Sequence, residues 1–217
     1  MKTAPKVNKK ILLILLAFCV IPIAGGIARI ISLACDTEVN NGNARFLGAP
    51  IPIILHIFGS SLFSLFGALQ FSTAMRHRNP SFHKDLGRIT ILTGVISAVT
   101  GLWMTAMYSI PMALQGNLLY GVRLLVGIAM LISIVLAVSA AIRRNISTHS
   151  NWIIRAYALG QGAGMQVVFL LPWTLLVGDP SVMERDVLMT VAWLLNLTFA
   201  EWVIHKQALK IPALAEF

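Results

Sequence analysis

The 217 residues predict an all-α, polytopic membrane protein, a six-transmembrane-helix bundle with both ends in the cytoplasm, and three observations carry that expectation. The chain is 57% hydrophobic and 12% charged, with a mean hydropathy of +0.80, more apolar surface than a soluble core hides. Its apolar residues gather into six runs near the roughly 20 residues needed to cross a hydrocarbon core. Its basic residues collect in alternate connectors between those runs rather than over a polar domain.

The predicted spans are residues 11–34, 51–75, 89–110, 122–142, 156–178 and 187–205. The first follows a basic leader, residues 1–10, carrying Lys2, Lys6, Lys9 and Lys10. Such an opening imitates a secretory signal peptide, but the apolar run outlasts a signal core, and Phe18 before Cys19 spoils a lipoprotein-type cleavage site, so the helix is retained. Cys19 and Cys35 both lie on this run, about 24 Å apart along one helix axis, too far to bridge. Pro50 and Pro52 open the second span, where a missing amide is harmless; Pro22 and Pro172 fall inside the first and fifth and should kink them. The fifth span begins AYALGQGAGMQ, in which Gly160 and Gly164 form a small-xxx-small pair and Gln161 and Gln166 add polar groups; helix packing accounts for this segment. Residues 11–206 form the membrane domain and 207–217 a short cytoplasmic tail.

Orientation follows from counting charge by side. Thirteen of the 17 Lys and Arg fall in the leader, the stretches 76–88 and 143–155, and the tail from Lys206. The opposite side offers Arg45 and Arg185 beside Asp36, Glu38, Asp179, Glu184 and Asp186. Under the positive-inside rule both termini are cytoplasmic, in a bacterial inner membrane. Trp103, Tyr108, Tyr120, Trp152, Tyr157, Trp173 and Trp202 fall mostly toward span ends, where amphipathic rings favour the interface. The net charge of +9 is therefore topological and excludes a nucleic-acid partner. The lipid bilayer is the expected partner, with a homodimer or larger membrane complex as a further one. RHRNPSFHKDLGR and RRNISTHSNWIIR echo one another, and the positive-inside rule explains that echo as well as a duplicated hairpin does.

Ionisable groups within a membrane helix are costly unless they face the bundle interior, so each is a candidate site residue. On the second span His56, Ser60, Ser64, Gly67 and Phe71 share one stripe that should face protein. His56, Arg29 and Arg123 lie at similar depth near the outer face, a set suited to an anionic or quinone-like ligand. The alternative is a histidine hydrogen-bonded across helices, with both arginines reaching outward. On the sixth span stand Asn196 at mid-depth, then Glu201 and His205 one turn apart and able to hydrogen-bond. His83, His149, Trp152 and Arg155 face them from the inner connectors. That set suits proton relay or a cofactor, or merely fixes topology. Two stacked haems would need a histidine pair near each face, and only His56 is near the outer one; a single haem held by two of His83, His149 and His205 remains open. No metal site, nucleotide loop, zinc-protease helix or serine elbow is present in the sequence.

Several segments together resemble the bacterial domain-of-unknown-function 2306 family of predicted membrane proteins, over residues 50–206. They are PIPIILHIFGSSLFSLFGALQFS, RHRNPSFHKDLGR, LLYGVRLLVG, HSNWIIRAYALGQGAGMQ and AWLLNLTFAEWVI. The resemblance implies a multi-pass membrane fold with polar residues at His56, His83, Arg123, His149, Trp152, Arg155, Asn196 and Glu201, and it implies no assigned activity. Three functions stay open. One is a redox or cofactor protein that binds haem or quinone, or one that assists respiratory-complex assembly. The others are a small-molecule or proton-coupled transporter and a scaffold without a ligand.

Overall fold

The computed structural model describes residues 9–35, 39–40 and 42–210. The predicted leader up to residue 8, the acids Asp36 and Glu38, and the tail from residue 211 lie outside them. The described residues are helical with short turns: α1 (Lys9–Cys35), α2 (Ala44–Gly48), α3 (Pro50–Gln70), α4 (Thr73–Arg78), α5 (Pro80–Met107), α6 (Asn117–Ile142), α7 (Ile146–Gly160), α8 (Gly162–Leu176) and α9 (Val182–Lys210). Six candidate spans are long and apolar enough to cross a membrane: α1 from Leu12, α3, α5, α6, the pair α7 and α8, and α9 to Ala208. Large apolar side chains such as Leu13, Ile31, Leu125 and Leu175 stand exposed around the outside, as lipid-facing residues should.

Two spans begin well before their predicted starts. The third opens at Pro80 and the fifth at Ile146, so most of the two basic connectors is helix. The cause is local capping. Asn79 accepts from the Phe82 amide at 3.0 Å ahead of Pro80, and Asn145 accepts from the Thr148 amide at 3.1 Å, each supplying an orphan amide with an acceptor. The echo between the two stretches is thus an asparagine cap with a histidine four residues on: the His83 and His149 amides bond the Asn79 and Asn145 carbonyls at 3.1 and 3.0 Å. The second span is shorter than predicted, ending at Gln70, because Ser72 caps the separate α4 by accepting from Met75. Both cysteines are free.

The helices pack as a closed ring. α3 lies between α1 and α5, α6 between α5 and α7, α9 against α7 and α8, and α8 returns to α1. Small residues set the approach of α3 to α5: a Cβ at Gly59 would sit 3.1 Å from the Ser97 amide and the Thr93 carbonyl. The buried face of α5 carries hydroxyls that turn onto their own helix, Thr90 to Leu86, Thr93 to Ile89 and Thr100 to Ile96, at 2.6 to 2.9 Å. Phe63, Met130, Ile134, Tyr157 and Leu159 fill the core where α3, α6 and α7 meet. On the side of that core toward Arg45 the bundle holds a partly open cavity instead.

Candidate functional site

The cavity measures about 400 Å³, within the roughly 300–1,000 Å³ of small-molecule sites. Along α3 its wall runs from Ile53 to Ser64, about 16 Å of helix axis. His56, Ser60 and Ser64 line it from α3, Arg123 from α6, Gln161 and Gln166 from the fifth span, and Trp193 from α9. Arg45 and Phe46, on the short α2, line the end of it nearest the connector between α1 and α3.

That end is built on one aromatic anchor. Phe46 packs edge-on against Tyr108 at 5.5 Å, and the Tyr108 hydroxyl donates to the Ala49 carbonyl at 2.6 Å, tying the connector to α5. The Arg29 and Arg45 guanidiniums lie over the Phe46 ring at 4.9 and 4.3 Å. Arg45 is drawn below the usual arginine range, first by burial and then by the Arg29 cation. Its Nη1 is buried with no hydrogen-bond partner.

His56 Nδ1 lies 2.9 Å from the Ser97 carbonyl and 3.2 Å from Thr100 Oγ1. A carbonyl only accepts, so Nδ1 carries a proton, and in the tautomer this fixes for the uncharged ring Nε2 is the acceptor. Arg123 donates through Nη1 to Gln115 Oε1. The buried acid nearby is Asp186, 2% exposed. Its two oxygens accept from the Gly116 and Leu119 amides, both at 3.0 Å, at the start of α6, where the helix dipole favours an anion.

The fifth span is interrupted at Gln161, midway between its ends, with 15 residues in α7 and 15 in α8. The break frees carbonyls at the end of α7 and amides at the start of α8. The carbonyls are met by α9: Asn196 Nδ2 donates to Ala158 O and Trp193 Nε1 to Leu159 O, both at 3.1 Å. A Cβ at Gly162 would overlap the Trp193 indole, so that position needs glycine. On the α8 side no side chain caps the helix. Gln166, 8% exposed, lines the cavity one turn along, and its Nε2 has no partner.

These positions sort the predicted site residues. His56 and Arg123 both line the cavity, and so do Ser60 and Ser64 of the His56 stripe. Arg29 stands behind Phe46 rather than in the lining, and Arg45 takes the place expected for it. Asn196 holds the broken helix. Glu201 is half exposed on the outside of the bundle, so it is not the buried intramembrane acid that the sequence suggested. Both its oxygens accept from Arg155, at 2.6 and 2.8 Å, and Arg155 also lies over the Trp152 ring at 4.6 Å; His205, exposed, has no share in that pair. His149 Nδ1 donates to the Ala137 carbonyl at 2.9 Å, and the buried His83 Nδ1 has no partner. A smaller cavity at this end, about 350 Å³, is lined by residues such as Ser147, Asn151 and Gln207, and by none of the three histidines. Among the described residues no three His, Cys, Asp or Glu side chains gather as a metal site.

The predicted membrane protein family DUF2306 matches residues 53–204, most of the chain. The chain belongs to that family. DUF2306 coverage takes in α5 to α8 whole and nearly all of α3, with His56, Arg123 and Gln166 inside it, while α1 and Arg45 lie outside. No curated protein and no solved structure matches the chain.

Proposed function

We propose that this DUF2306 protein binds a small, largely apolar ligand bearing hydrogen-bond acceptors, of the quinone class, in the cavity between α3 and α8. The observation that carries the reading is Arg45 Nη1, a donor buried without a partner at one end of a largely apolar space that a few polar side chains also line. A buried unpaired donor costs about 1–3 kcal/mol, more when charged, and a ligand oxygen removes that cost. His56 adds an acceptor nitrogen and Arg123 a second cation, so a ring exchanging carbonyl for hydroxyl oxygen finds partners in either state. Haem is supported less well, because none of His83, His149 and His205 lines either of the two cavities described. We further propose that the Lys9 end of α1 and the Lys210 end of α9 face the cytoplasm of a bacterial inner membrane, with Arg45 on the opposite side; the thirteen basic residues on the first side support this.

Trp193 in the cavity wall supplies the test, since quinones quench indole fluorescence. A short-tailed para-benzoquinone titrated into the full chain in nanodiscs should quench saturably, and Arg45→Ala or His56→Phe should weaken binding roughly tenfold or more. Quenching that rises without saturation, equal in all three proteins, contradicts the reading. A Soret band after haem addition that disappears in His149→Ala transfers it to haem.

A further inference from the structure

The interrupted fifth span adds something the quinone reading does not contain. Within a hydrocarbon core, broken helices are tolerated only where freed backbone groups are buried in protein or line a cavity. Here the two lips are treated differently. Asn196 and Trp193 take up the Ala158 and Leu159 carbonyls. The first amides of α8 receive no side-chain cap, and Ala163 and Gly164 of that turn stand in the cavity wall. The Met165 amide reaches back to the Gln161 carbonyl at 3.3 Å, so the donors lacking a helical acceptor lie before it.

Gln166 is the independent sign that something belongs there. Its side chain is 8% exposed and lines the same cavity, and its Nε2 has no partner. Gln161, also buried, donates to the Cys19 sulfur at 3.9 Å. The unmet Gln166 nitrogen is a donor and is neutral, as are the first amides of α8. The cations stand apart, at the end of the cavity where Arg45 and Arg123 lie. A helix N-terminus attracts an anion as well as a carbonyl oxygen, but a mono-headed anion is better met by the arginine cations at the other end of the cavity, which leaves the neutral donors here to a neutral carbonyl oxygen.

We propose that the α8 N-terminus and Gln166 form a second, deep subsite that receives a neutral carbonyl oxygen at the middle of the membrane, so that the ligand enters with a carbonyl end inward. This rests on the cavity being the ligand site and specifies which end of the ligand lies where. Gln166 is a binding residue in this arrangement, and Asn196 and Trp193 are positioning residues that hold the break open.

The test uses the full chain in nanodiscs with three probes: the short-tailed quinone, a long-chain alkyl methyl ketone, and laurate. Isotope-edited infrared spectra should show the ketone and one quinone carbonyl shifted to lower frequency on binding. Gln166→Leu should remove that shift and weaken both carbonyl probes roughly tenfold, with laurate affinity unchanged and Gln166→Asn restoring part of the loss. Thermal unfolding of each variant shows whether the bundle has folded. Quinone binding that keeps its affinity and carbonyl frequency in Gln166→Leu overturns the deep subsite while leaving the quinone reading intact. Ketone binding that depends on Gln166, without quinone binding, overturns the quinone reading and supports the subsite. Binding of neither carbonyl probe to the unaltered chain overturns both.

Discussion

The two lips of the break at Gln161 share one helix and differ in how they are completed. On the α7 side each freed carbonyl that α9 can reach has a donor from it, Asn196 for Ala158 and Trp193 for Leu159. On the α8 side the first amides have no side-chain cap, and Gln166, in the cavity wall, keeps a buried Nε2 without a partner. A related contrast holds among the ionisable groups: Arg155 and Glu201 satisfy each other with two short hydrogen bonds, while Arg45 keeps a buried nitrogen without a partner, as does His83 at the Arg155 end. Polar groups that hold a fold are paired within it, and those left open in a closed bundle are candidates for holding something else.

That contrast can be broken by substitution, and the largest effect is expected on the closed lip. Gly162→Ala drives a methyl into the Trp193 indole, whose nitrogen is fixed on Leu159; a loss of about 3 kcal/mol or more is expected, read as a lower midpoint in thermal or denaturant unfolding in detergent. Asn196→Leu strands the Ala158 carbonyl and should cost about 1–3 kcal/mol by the same measurement. Glu201→Gln breaks an ion pair whose acid is 51% exposed, so its cost should stay below about 1 kcal/mol and shrink further with salt. Gln166→Leu, on the open lip, removes an unsatisfied group, and the empty protein should be as stable as before or slightly more so. If Gln166→Leu destabilises the empty chain as much as Asn196→Leu does, the two lips are alike and the contrast fails.

The sequence carried the architecture well because lipid imposes a length and an apolarity on each span that no soluble core requires. Span starts were less legible. Pro80 and Ile146 open helices inside strongly basic stretches, where charge hides the asparagine caps at Asn79 and Asn145. Within the site, His56 and Arg123 were readable because ionisable groups are rare in spans. Arg45 was not, since an arginine in a connector looks topological until α2 folds it over Phe46. Glu201 misled for the opposite reason: its position in an apolar run says nothing about which face it takes. The break at Gln161 had a visible signal, three glycines within five residues flanking a glutamine. Close packing explains such a run equally well in sequence, and only the bonds from Asn196 and Trp193 separate a broken helix from a tight crossing.

Native mass spectrometry of the full chain, extracted with its surrounding lipid and released from detergent in the instrument, addresses the cavity most directly. A bound quinone-class molecule carrying carbonyl oxygens, retained by the unaltered protein and lost from Arg45→Ala, is the predicted result. A bare polypeptide mass from both proteins, with unfolding unmoved by added quinone, would contradict a ligand in the space beside His56.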